Sequence, residues 1–94
     1  DATVDGVALG PTLLEPTRIY VKDVLALNAA VQVKGLAHIT GSGLPGNVPR
    51  CIPDGLRAVI SESTWQRPAI FEVLRRLGDV ARDEMFSTFN MGLG

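Results

Sequence analysis

The sequence has little of what several specialised protein classes require. Its one cysteine, Cys51, leaves no partner for an internal disulfide and rules out a cysteine-rich zinc knuckle. Its one histidine, His38, would need at least one more strong ligand beside Cys51 to hold zinc. No apolar run approaches the roughly 18 residues of a membrane-spanning helix. These shortages favour an ordinary globular domain.

The sequence also lacks an excess of charge. Nine lysine and arginine residues stand against ten aspartate and glutamate residues, which gives a net charge of -1. Because neither sign dominates, we expect no nucleic-acid partner and no membrane partner. The acidic residues show no spacing that demands magnesium, so no metal ligand is predicted on this chain.

What is present fits one folded domain or part of one. Hydrophobic residues make up 46% of the 94 positions and charged residues 20%, a balance typical of folded chains. The chain opens on Asp1 rather than on methionine, and it stops at Gly94 where a further segment begins. We therefore expect a piece of a larger protein.

Helical spacing of apolar residues predicts the two longest helices. Apolar residues recur at i, i+4, i+7 and i+11 behind Thr17, whose hydroxyl suits an N-cap, so we expect a helix over residues 18–30. A second stripe predicts a helix over residues 68–77, with Gly78 as its left-handed stop.

Two strands and two short helices complete the predicted order. The apolar and β-branched content of residues 31–39 and 58–60 favours strands. Asn47 can cap a short helix over residues 48–52, and a last helix is expected over residues 83–89. The order αβαβαα with an open end indicates an α/β or α+β layer rather than a helical bundle.

The sharpest local feature is a glycine-rich segment over residues 41–46, GSGLPG, after the first predicted strand. It matches G-x-G-x-x-G, and Glu62 follows at the spacing of a ribose-binding acid in a dinucleotide fold. Pro45, Pro49 and Pro53 disfavour that fold, because they interrupt the helix that must receive the pyrophosphate. No P-loop is present either. A ligand-free glycine turn and an anion-holding loop both stay open.

Two reactive side chains lie near this segment. His38 lies on the predicted strand directly before it. There an imidazole can donate to an anion, shuttle a proton, or simply bond to the backbone, and both kinds of role stay open. Cys51 has no activating base in the sequence and is expected to be a small buried hydrophobe.

Three segments in order carry the interpretation further. They are PTRIYVK at residues 16–22, HITGSGLPGNVPR at 38–50 and TFNMGLG at 88–94. Together they closely resemble the C-terminal domain of aminoimidazole ribonucleotide synthetases, also called phosphoribosylformylglycinamidine cyclo-ligases. Two positions depart from that pattern: Ser42 stands where the family usually has the middle of three glycines, and Gly46 stands where an acidic residue commonly precedes the asparagine.

The resemblance implies a fold and an activity. The fold would be α+β, an α/β/α layered C-terminal domain, incomplete over residues 1–94 because its closing strands and the N-terminal ATP-binding domain are missing. The complete protein would be a cytoplasmic homodimer of two-domain subunits. It would use ATP and Mg²⁺, bound mainly by the N-terminal domain, to close the imidazole ring of a phosphoribosyl amidine in purine biosynthesis. The isolated chain is expected to be inactive.

The resemblance also implies site residues. His38 would be catalytic, and the glycine segment would line the cleft between domains. Hydroxyl, amide and guanidinium groups around that segment suit the binding of phosphate oxygens. The implied substrate-binding residues are Thr40, Gly41, Ser42, Gly43, Asn47 and Arg50, with Arg18 and Asn90 as weaker candidates that have equally good capping or ion-pair roles.

Two alternatives remain beside the cyclo-ligase. One is another ATP-using enzyme of the same superfamily, such as formylglycinamidine ribonucleotide synthetase, selenophosphate synthetase or thiamine-phosphate kinase. The other is a non-catalytic interaction module with the same fold. The PTRIYVK and TFNMGLG segments favour the cyclo-ligase, and the retained residues of the glycine segment argue against a module that has lost its chemistry.

Overall fold

A computed structural model describes residues 2–4 and 6–94 of the chain. Over these residues the fold is mainly helical, with one short antiparallel ribbon in which Thr3 pairs with Ala8. The elements are β1 (Thr3–Val4), β2 (Val7–Ala8), α1 (Leu9–Leu13), α2 (Val21–Ala30), α3 (Gly43–Asn47), α4 (Ala69–Leu77) and α5 (Arg82–Thr88), with 3₁₀ turns at Val48–Cys51 and Glu62–Thr64.

Neither predicted strand forms within the described residues. Residues 32–40 and 56–60 are irregular, and no ladder of backbone hydrogen bonds joins them to a neighbouring segment. A strand needs such a partner, and these segments leave apolar side chains uncovered, with Leu36 65% and Val59 82% exposed. The strand predictions at 31–39 and 58–60 are therefore wrong for the chain described here, and the order αβαβαα is not confirmed.

Helix α2 confirms the predicted helix but begins at Val21 rather than at residue 18. Tyr20 occupies the N-cap position in place of Thr17, and no side chain caps the helix. Asp23 lies in the first turn, where its charge suits the positive end of the helix dipole, and it pairs with Arg18 at 3.3 Å. The ion pair between Arg18 and Asp23 is exposed to solvent, so it adds little stability to this end of the helix.

Helix α4 confirms the predicted amphipathic helix, with Pro68 as its N-cap. Ile70 and Val73 are buried, whereas Leu77 at the end of the predicted stripe is exposed. On its outer face Arg75 forms two hydrogen bonds to Glu72, at 2.6 and 3.0 Å. That hydrogen bonding lowers the pKa of Glu72 and raises the pKa of Arg75. Its stabilising effect is present at neutral pH and is lost as the pH falls through the lowered pKa of Glu72.

The end of α4 differs from the prediction. Gly78 has φ -89 and is not left-handed; the left-handed residue is Asp79, with φ 48. The N–H of Val80 donates to the Arg75 carbonyl at 2.9 Å, as in a Schellman motif. A β-carbon on Gly78 would lie 2.9 Å from Val80 Cγ2. The constraint on Gly78 is therefore one of space and not of a positive φ.

The core is built from two sets of contacts between elements: α3 packs against α5, and α4 packs against α1 and β2. Met85 of α5, an element predicted at residues 83–89, is the most deeply buried apolar side chain, and the rings of Phe71 and Phe89 meet edge to face at 5.9 Å. Ile39 and Leu44, on either side of the glycine-rich turn, belong to the same core. The buried apolar side chains of the described chain are Ile39, Leu44, Ile70, Val73, Met85 and Met91.

Two helical valines test whether the burial of α4 stabilises the fold. Val73 is 3% exposed in α4, and Val21 is 61% exposed in α2. We expect Val73→Ala to lower the free energy of unfolding by about 2 kcal/mol, because the removed methyl groups leave a cavity. Val21→Ala, with the same change in helix propensity, should cost less than about 0.5 kcal/mol. Equal losses in chemical denaturation would contradict this position of the core.

Candidate functional site

The segment over residues 40–47, called the glycine loop from here on, is closed by one buried side chain. Asn47 is 1% exposed. Its amide nitrogen Nδ2 donates to the carbonyl oxygens of Thr40 at 3.2 Å, Gly41 at 3.1 Å and Gly43 at 2.7 Å. Its Oδ1 accepts a hydrogen bond from the Thr40 hydroxyl at 3.3 Å. Asn47 therefore holds together the backbone of the turn that precedes it.

The backbone of the loop makes a tight reversal at residues 42 and 43. Ser42 has φ 80 and Gly43 has φ 60, both in the left-handed region. The Gly43 N–H donates to the Thr40 carbonyl at 2.9 Å, and the Gly46 N–H donates to the Ser42 carbonyl at 3.1 Å. A left-handed conformation costs a residue with a β-carbon about 1–2 kcal/mol, so the surrounding contacts must hold Ser42 in place.

Gly43 brings the loop onto helix α5 at a distance that no other residue permits. A β-carbon at this position would lie 1.7 Å from the Phe86 carbonyl oxygen and 3.1 Å from that of Phe89. The next residue, Leu44, is buried in the core. The loop is thus supported from below by the carboxyl-terminal turn of α5.

The segment after α5 forms a second compact turn. The Asn90 side-chain oxygen accepts the Gly92 N–H at 2.9 Å, and Met91 is left-handed with φ 55. The Met91 carbonyl accepts the indole N–H of Trp65 at 3.1 Å. Gly92, with φ 96, lies so close to Pro68 that a β-carbon would come within 2.6 Å of Pro68 Cδ. These contacts join the turn to the start of α4.

This second turn also reaches the first of the three sequence segments. The Gly94 N–H donates to the Tyr20 hydroxyl at 3.0 Å, across 74 positions of sequence. Tyr20 in turn lies against the Arg18 guanidinium, 5.3 Å from the ring centre. The three segments singled out in the sequence therefore meet in the structure, the second through Gly43 and the first through Tyr20.

The predicted site residues divide into an exposed set and a buried set. The exposed ones are His38, Thr40, Gly41, Ser42 and Arg50. They lie in or beside the loop, where a ligand could reach them. Their contact with substrate stays a prediction.

Gly43 and Asn47, by contrast, are buried residues of the loop itself. Both Asn47 polar atoms are engaged with the loop itself. Direct substrate contact by Asn47 stays a prediction that this geometry does not favour. Its observed contacts are those of a positioning residue.

The two weaker candidates, Arg18 and Asn90, form contacts outside the glycine loop. Arg18 pairs with Asp23, and within residues 2–4 and 6–94 no hydrogen bond or ion pair joins it to the glycine loop. Asn90 caps its own turn through its side-chain oxygen. Both observations match the capping and ion-pair roles weighed for these residues, and their part in substrate binding stays a prediction.

The geometry around Glu62 argues further against a dinucleotide site. Glu62 lies in a 3₁₀ turn rather than at the end of a strand, and it pairs with Arg67 at 3.5 Å and with Arg82. Both guanidinium groups lie over the Phe86 ring, 5.8 and 5.3 Å from its centre. The helix after the glycines is only five residues long. This cluster was not predicted, since its members have no regular spacing in the sequence.

A cleft of about 840 Å³ opens beside the glycine loop. The residues that line it include Leu44, Val48, Trp65, Arg82 and Phe86. The cleft surface is mainly apolar, and among the described residues its lining includes none of the predicted site residues His38, Thr40, Gly41, Ser42, Asn47 and Arg50. Cys51, near its edge, donates its thiol to the Val48 carbonyl at 3.3 Å, as suits a structural residue.

Among residues 2–4 and 6–94, no group of three or more histidine, cysteine, aspartate or glutamate side chains has the geometry to hold a metal ion. Over the same stretch of chain, no helix combines the length and the apolar character that crossing a membrane requires.

Comparison with known proteins assigns the family. Residues 1–94 match the family described as AIR synthase related protein, C-terminal domain, and the chain belongs to it. The fold class is thus that of the AIR synthase-like superfamily, although the layered order of elements is not seen here. The resemblance drawn from the three segments is confirmed.

Individual relatives carry one name. The chain is 71% identical over its whole length to a phosphoribosylformylglycinamidine cyclo-ligase of Myxococcus xanthus, and it covers 28% of that protein. It is 67% identical over 95% of its length to the protein of the same name from Anaeromyxobacter sp. strain Fw109-5, of which it covers 26%. A Desulfitobacterium hafniense protein of that name is 55% identical over 95% of the chain. The chain spans about a quarter of the length of the curated relatives it matches.

The contact between Gly43 and α5 predicts a large effect of one added methyl group. Gly43→Ala should lower the free energy of unfolding by about 3 kcal/mol or more, because both the positive φ and the collision with the Phe86 carbonyl oppose it. Gly41→Ala is the matched control, since nothing lies within 4 Å of a β-carbon there. Denaturation midpoints of the two variants compare them. A Gly43→Ala variant as stable as the Gly41→Ala variant would contradict the close contact between the loop and α5.

The hydrogen bonds of Asn47 predict a difference between two asparagines. Asn47→Asp removes the donor and places a carboxylate against three carbonyl oxygens, so we expect a loss of about 3 kcal/mol at neutral pH. Asn90→Asp keeps the acceptor that the Gly92 N–H needs and should change stability by less than about 0.5 kcal/mol. Thermal unfolding of both variants measures the contrast, and a reversed order of stabilities would refute the role given to Asn47.

Proposed function

We propose that this chain is part of the C-terminal domain of an ATP-dependent cyclo-ligase of purine biosynthesis. That enzyme converts formylglycinamidine ribonucleotide into aminoimidazole ribonucleotide, ADP and phosphate. The observation that carries the proposal is the 71% identity, over the whole chain, with a protein named phosphoribosylformylglycinamidine cyclo-ligase. The same name on relatives at 67% and 55% identity supports it.

The remaining three quarters of the enzyme would include an N-terminal ATP-binding domain. The chain covers 26–28% of the relatives' length, which leaves room for such a domain. ATP and Mg²⁺ would be bound mainly there, as the resemblance to the family implies. The complete enzyme would be a cytoplasmic homodimer, and its substrate a small phosphoribosyl amidine.

In this enzyme the glycine loop would hold the anionic part of the substrate. Gly41 and Ser42 form its exposed crest, and Arg50 lies exposed in the 3₁₀ turn that follows. Hydroxyl groups and a guanidinium are strong donors to phosphate oxygens, and Arg50 adds the charge that a neutral loop lacks. A rigid loop supports tight placement, because little conformational freedom is lost when the substrate binds.

His38 would serve as a general acid or base at the reacting end of the substrate. Ring closure needs a proton removed from the attacking amidine nitrogen, while the activated formyl oxygen leaves as phosphate. His38 is exposed, and it directly precedes the core residue Ile39 and the loop. An imidazole can both accept and donate a proton, which is the chemistry that this step needs.

Two substitutions in the complete enzyme test this assignment. Arg50→Ala should raise the KM for the phosphoribosyl substrate about tenfold or more, since charge-assisted hydrogen bonds contribute about 1.5–3 kcal/mol each. His38→Ala should lower kcat by about 10²–10⁴, the usual contribution of general acid–base catalysis. Lys34→Ala, which removes an exposed cation outside the lining of the cleft, is the control and should leave both constants unchanged.

Steady-state kinetics and thermal unfolding together decide the outcome. Both site variants should unfold at the wild-type midpoint, because both side chains are exposed. Full activity with unchanged substrate affinity in both variants would contradict the site. The 94-residue chain alone should show no turnover, and turnover by it would overturn the two-domain arrangement.

A further inference from the structure

The backbone conformation of Gly46 does not require glycine. Its φ lies outside the left-handed region, unlike that of Gly43. Helical residues at such angles accept any side chain without backbone strain. A β-carbon on Gly46, however, would lie 2.3 Å from Ser42 Cβ and 3.3 Å from Ser42 Oγ. What excludes a side chain at position 46 is the side chain at position 42.

The collision cannot be relieved by a change of rotamer. Ser42 Cβ is bonded directly to the backbone, so only a movement of the loop would separate it from residue 46. The hydrogen bond from the Gly46 N–H to the Ser42 carbonyl, at 3.1 Å, sets the two residues one helical turn apart. Asn47 fixes the carbonyls of Gly41 and Gly43 on either side of Ser42. The hydrogen bonds that close the loop therefore also keep positions 42 and 46 close to each other.

No other atom stands in the way. Within the described chain, the two Ser42 atoms are the only ones within 4 Å of a β-carbon on Gly46, apart from its chain neighbours and the backbone of its own helix. If Ser42 were glycine, position 46 would have room for a β-carbon. The obstacle is one pair contact and not general crowding.

We propose that Ser42 and Gly46 form a coupled positioning pair: the glycine loop accommodates a β-carbon at one of the two positions and requires glycine at the other. With serine at position 42, the exposed crest of the loop carries a hydroxyl, and position 46 cannot carry any side chain. The pair thereby sets both the shape of the loop and the group that it presents. The steric part of this inference is independent of the proposed function, whereas its effect on substrate binding rests on that function.

A double-mutant cycle in the complete protein tests the pair. Gly46→Ala should lower the thermal midpoint by about 3–8 °C, as an overpacked site does. Ser42→Gly should change it by less than about 2 °C, because relief of the left-handed strain offsets the greater freedom of glycine in the unfolded chain. In the double variant, at least half of the loss caused by Gly46→Ala should be recovered. Gly41→Ala, with no atom within 4 Å of its β-carbon, is the stability control.

Additive effects would overturn the proposal. If the double variant unfolds at or below the midpoint of Gly46→Ala, the contact with Ser42 does not exclude a side chain at position 46. Should Gly46→Ala fail to fold at all, circular dichroism of the double variant decides: a folded double variant supports the pair and an unfolded one refutes it.

Kinetics of the same variants test the positioning role. Gly46→Ala should raise the KM for the phosphoribosyl amidine about tenfold with a smaller change in kcat, and the double variant should restore most of the affinity. Gly10→Ala, in helix α1 with open space around it, is the activity control. Recovered stability without any change of KM along the cycle would refute positioning. If the complete protein has no cyclo-ligase activity, the proposed function fails while the thermal cycle still decides the steric pair.

Discussion

The buried amide of Asn47 is the constraint on which the glycine loop depends. A chain that reverses direction through two left-handed residues leaves carbonyl oxygens pointing into the turn, and these need donors once water is excluded. One side chain supplies them for Thr40, Gly41 and Gly43. Because Asn47 follows the turn in sequence, the loop carries its own support. Its crest is left exposed, while the carbonyl oxygens of Thr40, Gly41 and Gly43 accept hydrogen bonds from Asn47.

The loop in turn depends on what lies beneath it. Gly43 brings its backbone against the last turn of α5, and the turn at residues 90–92 connects that end to Trp65 and Pro68. Tyr20 extends the connection to α2 through its bond with Gly94. The three sequence segments that identify the family are thus parts of one framework. For a loop proposed to bind a phosphate ester, such a framework places donors before the substrate arrives.

The features of this structure that can be predicted from sequence are those that depend on contacts between residues close together in the chain. Helices α4 and α5 were predicted because their apolar stripes and terminal residues are local signals. The strands at 31–39 and 58–60 were not confirmed, since strand formation depends on a partner that no local pattern supplies. The left-handed residue at the end of α4 is Asp79 and not the predicted Gly78. Sequence spacing alone does not distinguish a glycine required for a positive φ from one constrained by space.

The candidate site shows the same division. Residues 38–50 were singled out from sequence, and the structure brings Thr40 to Asn47 into one hydrogen-bonded loop. The burial of Asn47 and its bonds to three carbonyls were not predictable, because Asn also suits a helix cap or a ligand contact. The two departures from the family pattern, Ser42 and Gly46, are the two residues whose β-carbons would collide. Sequence shows both departures but not that they touch.

Hydrogen exchange of side-chain amides tests the account most directly. In the ligand-free protein, the Asn47 Nδ2 protons should exchange much more slowly than those of exposed Asn28, because they are buried and bonded to loop carbonyls. Their nuclear Overhauser contacts should reach the α-protons of Gly41 and Gly43. Asn47 amide protons that exchange as fast as those of Asn28 would contradict a loop that is closed before any ligand binds.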